Sequence, residues 1–194
     1  MRISPQIASL VSYTPGKPIE ETKREYGLSE VYKLASNENP LGPSPFAQKA
    51  VEKAIGQMHR YPDASCYELI KKLSLKWSVP PEYLALGNGS NEIIDVLIRT
   101  FCEPGDKILT SEAAFICYPL CAQAARIGVT KVALRQDYTM DMKKMAEKVS
   151  SEHRIVFIPN PNNPTGTYVN KNDIEDFLRK FGDSDDLLIC FDEA

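Results

Sequence analysis

The sequence contains no apolar run long enough to span a membrane and no block of like charges. An apolar stretch at residues 7–11 is too short for the hydrophobic region of a signal peptide, and the turn-forming residues 13–16 follow it. Acidic residues number 26 against 23 Lys and Arg, which gives a net charge of −3 and argues against nucleic acid or an anionic membrane as the main partner. We therefore expect a soluble, cytoplasmic protein.

The sequence also lacks the residue spacings that are typical of metal sites. The five cysteines show no C-x-x-C spacing, and Cys117 and Cys121, which can share a helix face, have no third ligand beside them. His59 and His153 have neither metal-ligand nor catalytic-triad spacing. Most of the cysteines lie in apolar helix or strand patterns, which favours buried free thiols in a reducing compartment. The sequence predicts no metal site.

The pattern that is present is an alternation of helix and strand signals. A chain of 194 residues, 43% of them apolar, can bury one sizeable core. Five prolines in residues 1–43 predict an irregular N-terminal arm, and residues 44–194 form the predicted large domain. Strands predicted at residues 83–86, 107–110, 129–134, 155–159 and 187–191 alternate with helices. Such alternation favours parallel strands, so we predict an α/β fold: a mostly parallel sheet with helices on both faces.

Polar residues before apolar periodic segments predict where several helices begin. Ser65 and Glu68 have the spacing of a capping box. Asp141 and Asn170 precede two later helices as N-caps. Ser44 before Pro45 predicts the first long helix.

Three features follow predicted strands, at the sheet edge where ligands of parallel sheets bind. Residues 87–91, Gly-Asn-Gly-Ser-Asn, lead from a strand into a helix, and they predict either an ordinary tight turn or a phosphate site at the helix start. Asn163, in Asn-Pro-Thr-Gly, is either part of a strand-exit turn or a hydrogen-bond donor to a phenolate. Asp192 ends an apolar strand, so we expect a cationic partner there, either an Arg or a protonated pyridine nitrogen.

Longer stretches carry a resemblance to a known family. They are Tyr-Thr-Pro-Gly-Lys-Pro-Ile-Glu-Glu from residue 13, Lys-Leu-Ala-Ser-Asn-Glu-Asn-Pro-Leu-Gly-Pro-Ser-Pro from residue 33, and Tyr-Pro-Asp from residue 61. With the three features above, they resemble histidinol-phosphate aminotransferase, a fold-type I pyridoxal-phosphate enzyme. The resemblance implies a homodimer that exchanges amino groups between histidinol phosphate and 2-oxoglutarate in histidine biosynthesis. It implies no nucleic-acid or membrane partner.

The resemblance also implies roles for single residues. Ser90 and Asn91 would bind the cofactor phosphate, and Tyr61 would reach the cofactor phosphate of the other subunit. Tyr13 would contact the substrate phosphate, and Asn37 would lie near the substrate.

Three further residues are implied to hold the cofactor ring. Phe115 would stack on the pyridine ring, Asn163 would donate to its phenolic oxygen, and Asp192 would pair with its ring nitrogen. In the family the Schiff-base lysine follows later in the sequence, so no catalytic residue is assigned here. The resemblance covers a little over half of a full-length member. Because the Schiff-base lysine is not within it, we expect the chain to be inactive alone. Two alternative functions are also consistent with the sequence. The chain belongs either to another fold-type I enzyme (an aromatic aminotransferase or a threonine-phosphate decarboxylase) or to a non-catalytic binding or assembly module.

Overall fold

The structure, a computed structural model, describes residues 3–11, 13, 15–34 and 36–193. The chain divides into two compact units. One unit consists of residues 1–12 and 86–194, and the other is Tyr13–Ala85. In the described residues no helix is both long and apolar enough to cross a membrane.

Helices and strands alternate through the second half of the chain, as predicted. The helices are α1 (Pro5–Ala8), α2 (Ile19–Tyr26), α3 (Pro45–Ala54), α4 (Tyr67–Trp77), α5 (Ser90–Phe101), α6 (Cys117–Ala124), α7 (Met142–Lys148) and α8 (Lys171–Phe181). The strands are β1 (Lys107–Ser111), β2 (Gly128–Val132), β3 (His153–Pro159) and β4 (Leu188–Asp192). Short 3-10 turns occur at Ile55–Gln57 and Pro81–Tyr83.

The four strands form one sheet in the order β2-β1-β3-β4, and every neighbouring pair is parallel. Leu109 of β1 lies opposite Thr130 of β2 and Val156 of β3, and Phe157 of β3 lies opposite Cys190 of β4. The predicted parallel sheet is therefore confirmed. Because all four strands point the same way, their carboxyl ends lie along one edge of the sheet.

Two apolar cores cover the two faces of the sheet. Alternate strand residues point to opposite faces, so neighbours such as Ile108 and Leu109 belong to different cores. The first core packs α5 and α6 against one face of the sheet and contains Ile94, Ile98, Ile108, Cys117, Tyr118, Ala122, Ile127, Ile155 and Phe157. The second packs α7 and α8 against the other face and contains Leu109, Val132, Met140, Met142, Met145, Val156, Ile158, Val169 and Phe177. Helices on both faces are thus confirmed.

Two of the predicted N-caps form their hydrogen bonds. The Asp141 carboxylate accepts from the backbone N–H of Lys144 at 3.1 Å, and Asn170 accepts from the backbone N–H of Asp173 at 3.0 Å. Each cap satisfies one of the backbone donors that the first turn of a helix leaves unpaired.

Two local predictions are wrong. The strand predicted at residues 83–86 does not form: Tyr83 ends a 3-10 turn, and residues 84–86 join no strand ladder, because the four described strands pair only with one another. The capping box is also absent, since Cys66 is the residue before α4 and makes no side-chain cap. Asp63 accepts instead from the backbone N–H groups of Ser65 and Tyr67, at 2.9 and 3.1 Å.

The unit Tyr13–Ala85 has no buried residue among those the structure describes. The N-terminal arm is less irregular than its prolines predict. Helix α2 begins after Pro18 and ends at Gly27, whose φ of 64° suits a glycine. In the other unit, α1 begins at Pro5, the first helical position that proline favours.

Candidate active site

The carboxyl ends of β1, β3 and β4 carry three of the predicted site residues: Phe115, Asn163 and Asp192. Residues 112–116 connect β1 to α6, residues 160–170 connect β3 to α8, and Asp192 is the last residue of β4. The backbone N–H of Asn160 donates to the carbonyl oxygen of Asp192 at 2.8 Å, which joins two of these ends directly.

The turn before α5 has the predicted glycine geometry. Gly89 adopts φ 79° and ψ 173°, a conformation that L side chains rarely adopt. Glu92 closes the turn by accepting from both the backbone N–H and the side-chain amide of Asn88. Gly89 has no side chain to cap α5, so the first-turn N–H groups beside Ser90 and Asn91 keep their attraction for an anion.

Asn91 connects the start of α5 to the start of α6. Its side chain hydrogen-bonds the buried thiol of Cys117, the first residue of α6. Burial raises the pKa of this thiol, and the hydrogen bond with Asn91 opposes part of the rise. Cys117 is therefore a protonated packing residue at neutral pH.

Asp192 forms a hydrogen bond that sequence analysis did not predict. The hydroxyl of Tyr118, in α6, donates to Asp192 Oδ2 at 2.5 Å across 74 positions of sequence. Burial raises the pKa of Tyr118 well above its ordinary value, and the bond to Asp192 raises it further. No local pattern marks Tyr118 as a site residue, since only the packing of α6 against the sheet brings it to β4.

Phe115 lies half-buried just before α6 and meets Tyr118 edge-on, with ring centroids 5.9 Å apart and an interplanar angle of 85°. Burial raises the pKa of the Cys190 thiol to about 11, with a smaller contribution from Asp192, so this neighbouring thiol also stays protonated. The start of α6 thus brings Asn91, Phe115 and Asp192 to one place.

The two consecutive asparagines after β3 differ in exposure. Asn162 is 2% exposed and its amide donates to the carbonyl of Ala113 at 2.8 Å and to the hydroxyl of Thr165 at 2.7 Å. Asn163 is exposed. The turn that carries Asn163 is therefore bound to the same β1–α6 connection that carries Phe115.

The other predicted residues belong to the unit Tyr13–Ala85. Tyr61 is 100% exposed, Tyr13 is 55% exposed, and Asn37 is exposed as well. Their side chains are accessible to a ligand or to another chain.

The chain matches the model of the aminotransferase class I and II family over residues 29–194. It is 52% identical to the histidinol-phosphate aminotransferase of Bdellovibrio bacteriovorus over 198 aligned residues, which cover 100% of this chain and 53% of that protein. The chain belongs to the aminotransferase class I and II family. It spans about half the length of the curated relatives it matches.

Solved structures show the same fold. The histidinol-phosphate aminotransferase of Sinorhizobium meliloti, solved in complex with pyridoxal-5′-phosphate, superposes with a TM-score of 0.85 at 24% identity and covers 100% of this chain and 51% of its own. That of Clostridium acetobutylicum gives a TM-score of 0.69 at 27% identity, over 82% of this chain and 46% of its own. The fold is that of fold-type I aminotransferases.

Proposed function

We propose that the protein carrying this chain is a pyridoxal-phosphate-dependent aminotransferase that moves an amino group between histidinol phosphate and 2-oxoglutarate. The observation that carries the proposal is the hydrogen-bonded carboxylate of Asp192 at the carboxyl edge of a parallel sheet, in a chain 52% identical to a histidinol-phosphate aminotransferase. We infer a cytoplasmic setting, in keeping with five free cysteines.

The donor set fits a phosphorylated pyridine. A phosphate suits the uncapped start of α5 at Ser90 and Asn91, because backbone N–H groups and the helix dipole both favour an anion. A flat ring suits the half-buried Phe115. A protonated ring nitrogen suits Asp192, and the phenolic oxygen suits the amide of Asn163.

Each residue then has a physical task. Asp192 holds the proton on the ring nitrogen through its negative charge. Phe115 restricts the tilt of the cofactor ring by stacking on it, and Asn163 orients the ring by donating to its phenolic oxygen. When bound, pyridoxal phosphate supplies an electron-withdrawing ring that stabilises negative charge at the substrate Cα. The protonated ring nitrogen strengthens that effect, so among these three residues Asp192 is the one on which the rate depends most.

The arm residues are proposed to serve the substrate and a second subunit. We assign residues 1–43 to an arm and residues 44–194 to the large domain of a homodimer. Tyr13 would hold the substrate phosphate, Asn37 would lie beside the substrate, and Tyr61 would reach the cofactor phosphate of the other subunit. Their exposed side chains support these assignments, because each must be accessible to a ligand or to another subunit.

A chimera tests the proposal directly. Since this chain aligns with about half of the Bdellovibrio bacteriovorus relative, residues 1–194 can replace the matched half of that protein. We expect the chimera to form glutamate from histidinol phosphate and 2-oxoglutarate. The Tyr13→Phe chimera should show a raised KM for histidinol phosphate and an unchanged KM for 2-oxoglutarate.

The same assay separates the other functions. Faster reaction with phenylalanine or tyrosine than with histidinol phosphate would assign the protein to aromatic amino acids, and carbon dioxide release from threonine phosphate would assign it to decarboxylation. A folded chimera without activity on any of these donors would contradict the enzyme function and favour a binding or assembly role.

A further inference from the structure

Tyr118 is the most enclosed polar side chain at the candidate site. It is 0% exposed, and its ring stacks on Phe157 with centroids 4.6 Å apart and an interplanar angle of 10°. Phe115 meets the same ring edge-on at 5.9 Å. Two aromatic contacts therefore restrict the ring of Tyr118, and its hydroxyl direction is restricted with it.

The hydroxyl of Tyr118 acts as a hydrogen-bond donor. A buried hydroxyl needs a partner, and Asp192 Oδ2 supplies one at 2.5 Å. A carboxylate can only accept in this bond, so the phenol must keep its proton. Because one end of the bond is charged, it is stronger and more directional than a bond between neutral groups.

We propose that Tyr118 is a positioning residue that orients the Asp192 carboxylate toward the pyridine nitrogen of the bound cofactor. This inference rests on the proposed function and adds that the contact of Asp192 with the cofactor depends on the Tyr118 hydroxyl. Tyr118 touches neither the reacting atoms nor, in this assignment, the cofactor. It acts through Asp192: a donor fixed by two aromatic rings holds one carboxylate oxygen, and that contact sets the plane of the whole carboxylate.

A merely structural role predicts something different. If Tyr118 only fills the core, then Tyr118→Phe keeps the ring, its stacking on Phe157 and nearly all of its volume. The loss of the hydroxyl would then change stability and leave the recognition of a pyridine ring nitrogen unaffected. Binding measured with and without the Asp192 carboxylate distinguishes the two roles.

The probe is pyridoxamine 5′-phosphate, which has the ring and phosphate of the cofactor but no aldehyde to react with surface lysines. Its dissociation constant is measured for the 194-residue chain, for Tyr118→Phe, for Asp192→Asn and for the double variant. We expect Tyr118→Phe to weaken binding roughly three- to thirtyfold, a loss that lies within the range for residues in one hydrogen-bond network. In the Asp192→Asn background the same substitution should weaken binding less than about twofold, because no carboxylate remains to be oriented.

A second measurement reports on the ring nitrogen itself. The nitrogen-15 signal of pyridoxamine phosphate labelled at the ring nitrogen depends on protonation of that atom. In Tyr118→Phe we expect this signal to move toward that of the neutral pyridine. Tyr138→Phe is the matched control, since Tyr138 is 67% exposed and follows β2, the outer strand on the opposite side of the sheet from β4. Its signal should stay at the wild-type position.

Each outcome decides between the possibilities. Wild-type affinity in Tyr118→Phe, or equal losses in both backgrounds, would overturn the positioning role. An Asp192→Asn chain that binds as tightly as wild type would instead contradict the proposed function, whatever Tyr118 does. If Tyr118→Phe does not fold, 3-fluorotyrosine at position 118 keeps the donor and changes its strength. The nitrogen-15 signal must then still move, and a fixed signal would overturn the proposal.

Discussion

The side-chain amide of Asn162 donates to the backbone carbonyl of Ala113 at 2.8 Å and so joins the turn after β3 to the connection after β1. Its Oδ1 is buried and accepts no hydrogen bond among the described residues. Phe115 lies two positions after Ala113, and Asn163 follows Asn162 directly. One buried amide therefore joins the two segments whose residues Phe115 and Asn163 are proposed to contact the cofactor ring.

Asn162 and Asn163 should differ sharply when each is replaced by alanine. Asn162→Ala leaves the Ala113 carbonyl without its buried donor, which we expect to lower the free energy of unfolding by about 1–3 kcal/mol. Asn163→Ala changes an exposed side chain and should cost less than about 0.5 kcal/mol, while weakening the binding of pyridoxamine phosphate. Urea denaturation measures both values. A larger stability loss for Asn163→Ala than for Asn162→Ala would contradict the assignment of the structural role to Asn162.

Asp192→Asn should remove most of the activity of the chimera. The amide has nearly the shape of the carboxylate but no charge with which to hold a proton on the ring nitrogen. We expect a loss of roughly two to three orders of magnitude in rate, the scale of one preorganised electrostatic contact. Transamination of histidinol phosphate measures it, with the exposed Asp185→Asn as control. A rate within about tenfold of wild type would mean that Asp192 has only a structural task.

The chain should lose stability as pH falls below about 6.5, the ordinary pKa of histidine. His153 is 4% exposed; its Nδ1 accepts from the backbone N–H of Ser150 at 3.0 Å, and its Nε2 lies 2.8 Å from the Thr130 hydroxyl. Burial lowers the pKa of His153, with a smaller effect of Lys107 in the same direction. The unfolded chain then binds a proton at a higher pH than the folded chain. The contribution of His153 to the free energy of unfolding is therefore fully present above the unfolded pKa and is lost as pH falls toward the folded pKa.

This effect has a limiting size and a matched control. One titrating group changes the free energy of unfolding by at most about 1.4 kcal/mol per pH unit. Denaturation between pH 7.5 and 5.5 should show the loss in wild type and a flatter curve in His153→Gln. The other histidine, His59, is exposed, and His59→Gln should leave the wild-type curve unchanged. A wild-type curve that is already flat would contradict the prediction.

Gly89→Ala should destabilise the start of α5. No atom lies within 4 Å of an added Cβ, so the cost comes from the backbone conformation at φ 79° alone. We expect a loss of about 1–3 kcal/mol. Gly56→Ala also adds a methyl group into open space, but Gly56 has no positive φ, so it should be neutral or stabilising by up to about 1 kcal/mol. Similar effects of the two substitutions would show that the conformation of Gly89 carries no special cost.

The sequence by itself determined the features that depend on neighbouring residues. Asp141 and Asn170 cap α7 and α8 because each carboxylate or amide reaches a backbone N–H only three positions away. The alternation of apolar strands with helices determined the parallel sheet, since a strand that returns through a helix must pair in parallel. The candidate residues Asn91 and Asp192 were found in the same way, because each lies at a recognisable helix start or strand end. Phe115 was assigned through the family resemblance.

The tertiary structure decided the relationships that join distant parts of the chain. Residues 83–86 have strand-like composition, but a strand exists only beside a partner, and none pairs with them in the described sheet. The Asp63 carboxylate accepts from the backbone N–H of Ser65, which the predicted capping box assigns to Glu68, and from that of Tyr67. Composition alone cannot rank two competing acceptors. Tyr118 reaches Asp192, 74 positions away in the sequence, only because the start of α6 packs on the sheet with Tyr118 stacked on Phe157 of β3. Side-chain contacts of that range depend on how helices pack on the sheet, and no local pattern of residues encodes them.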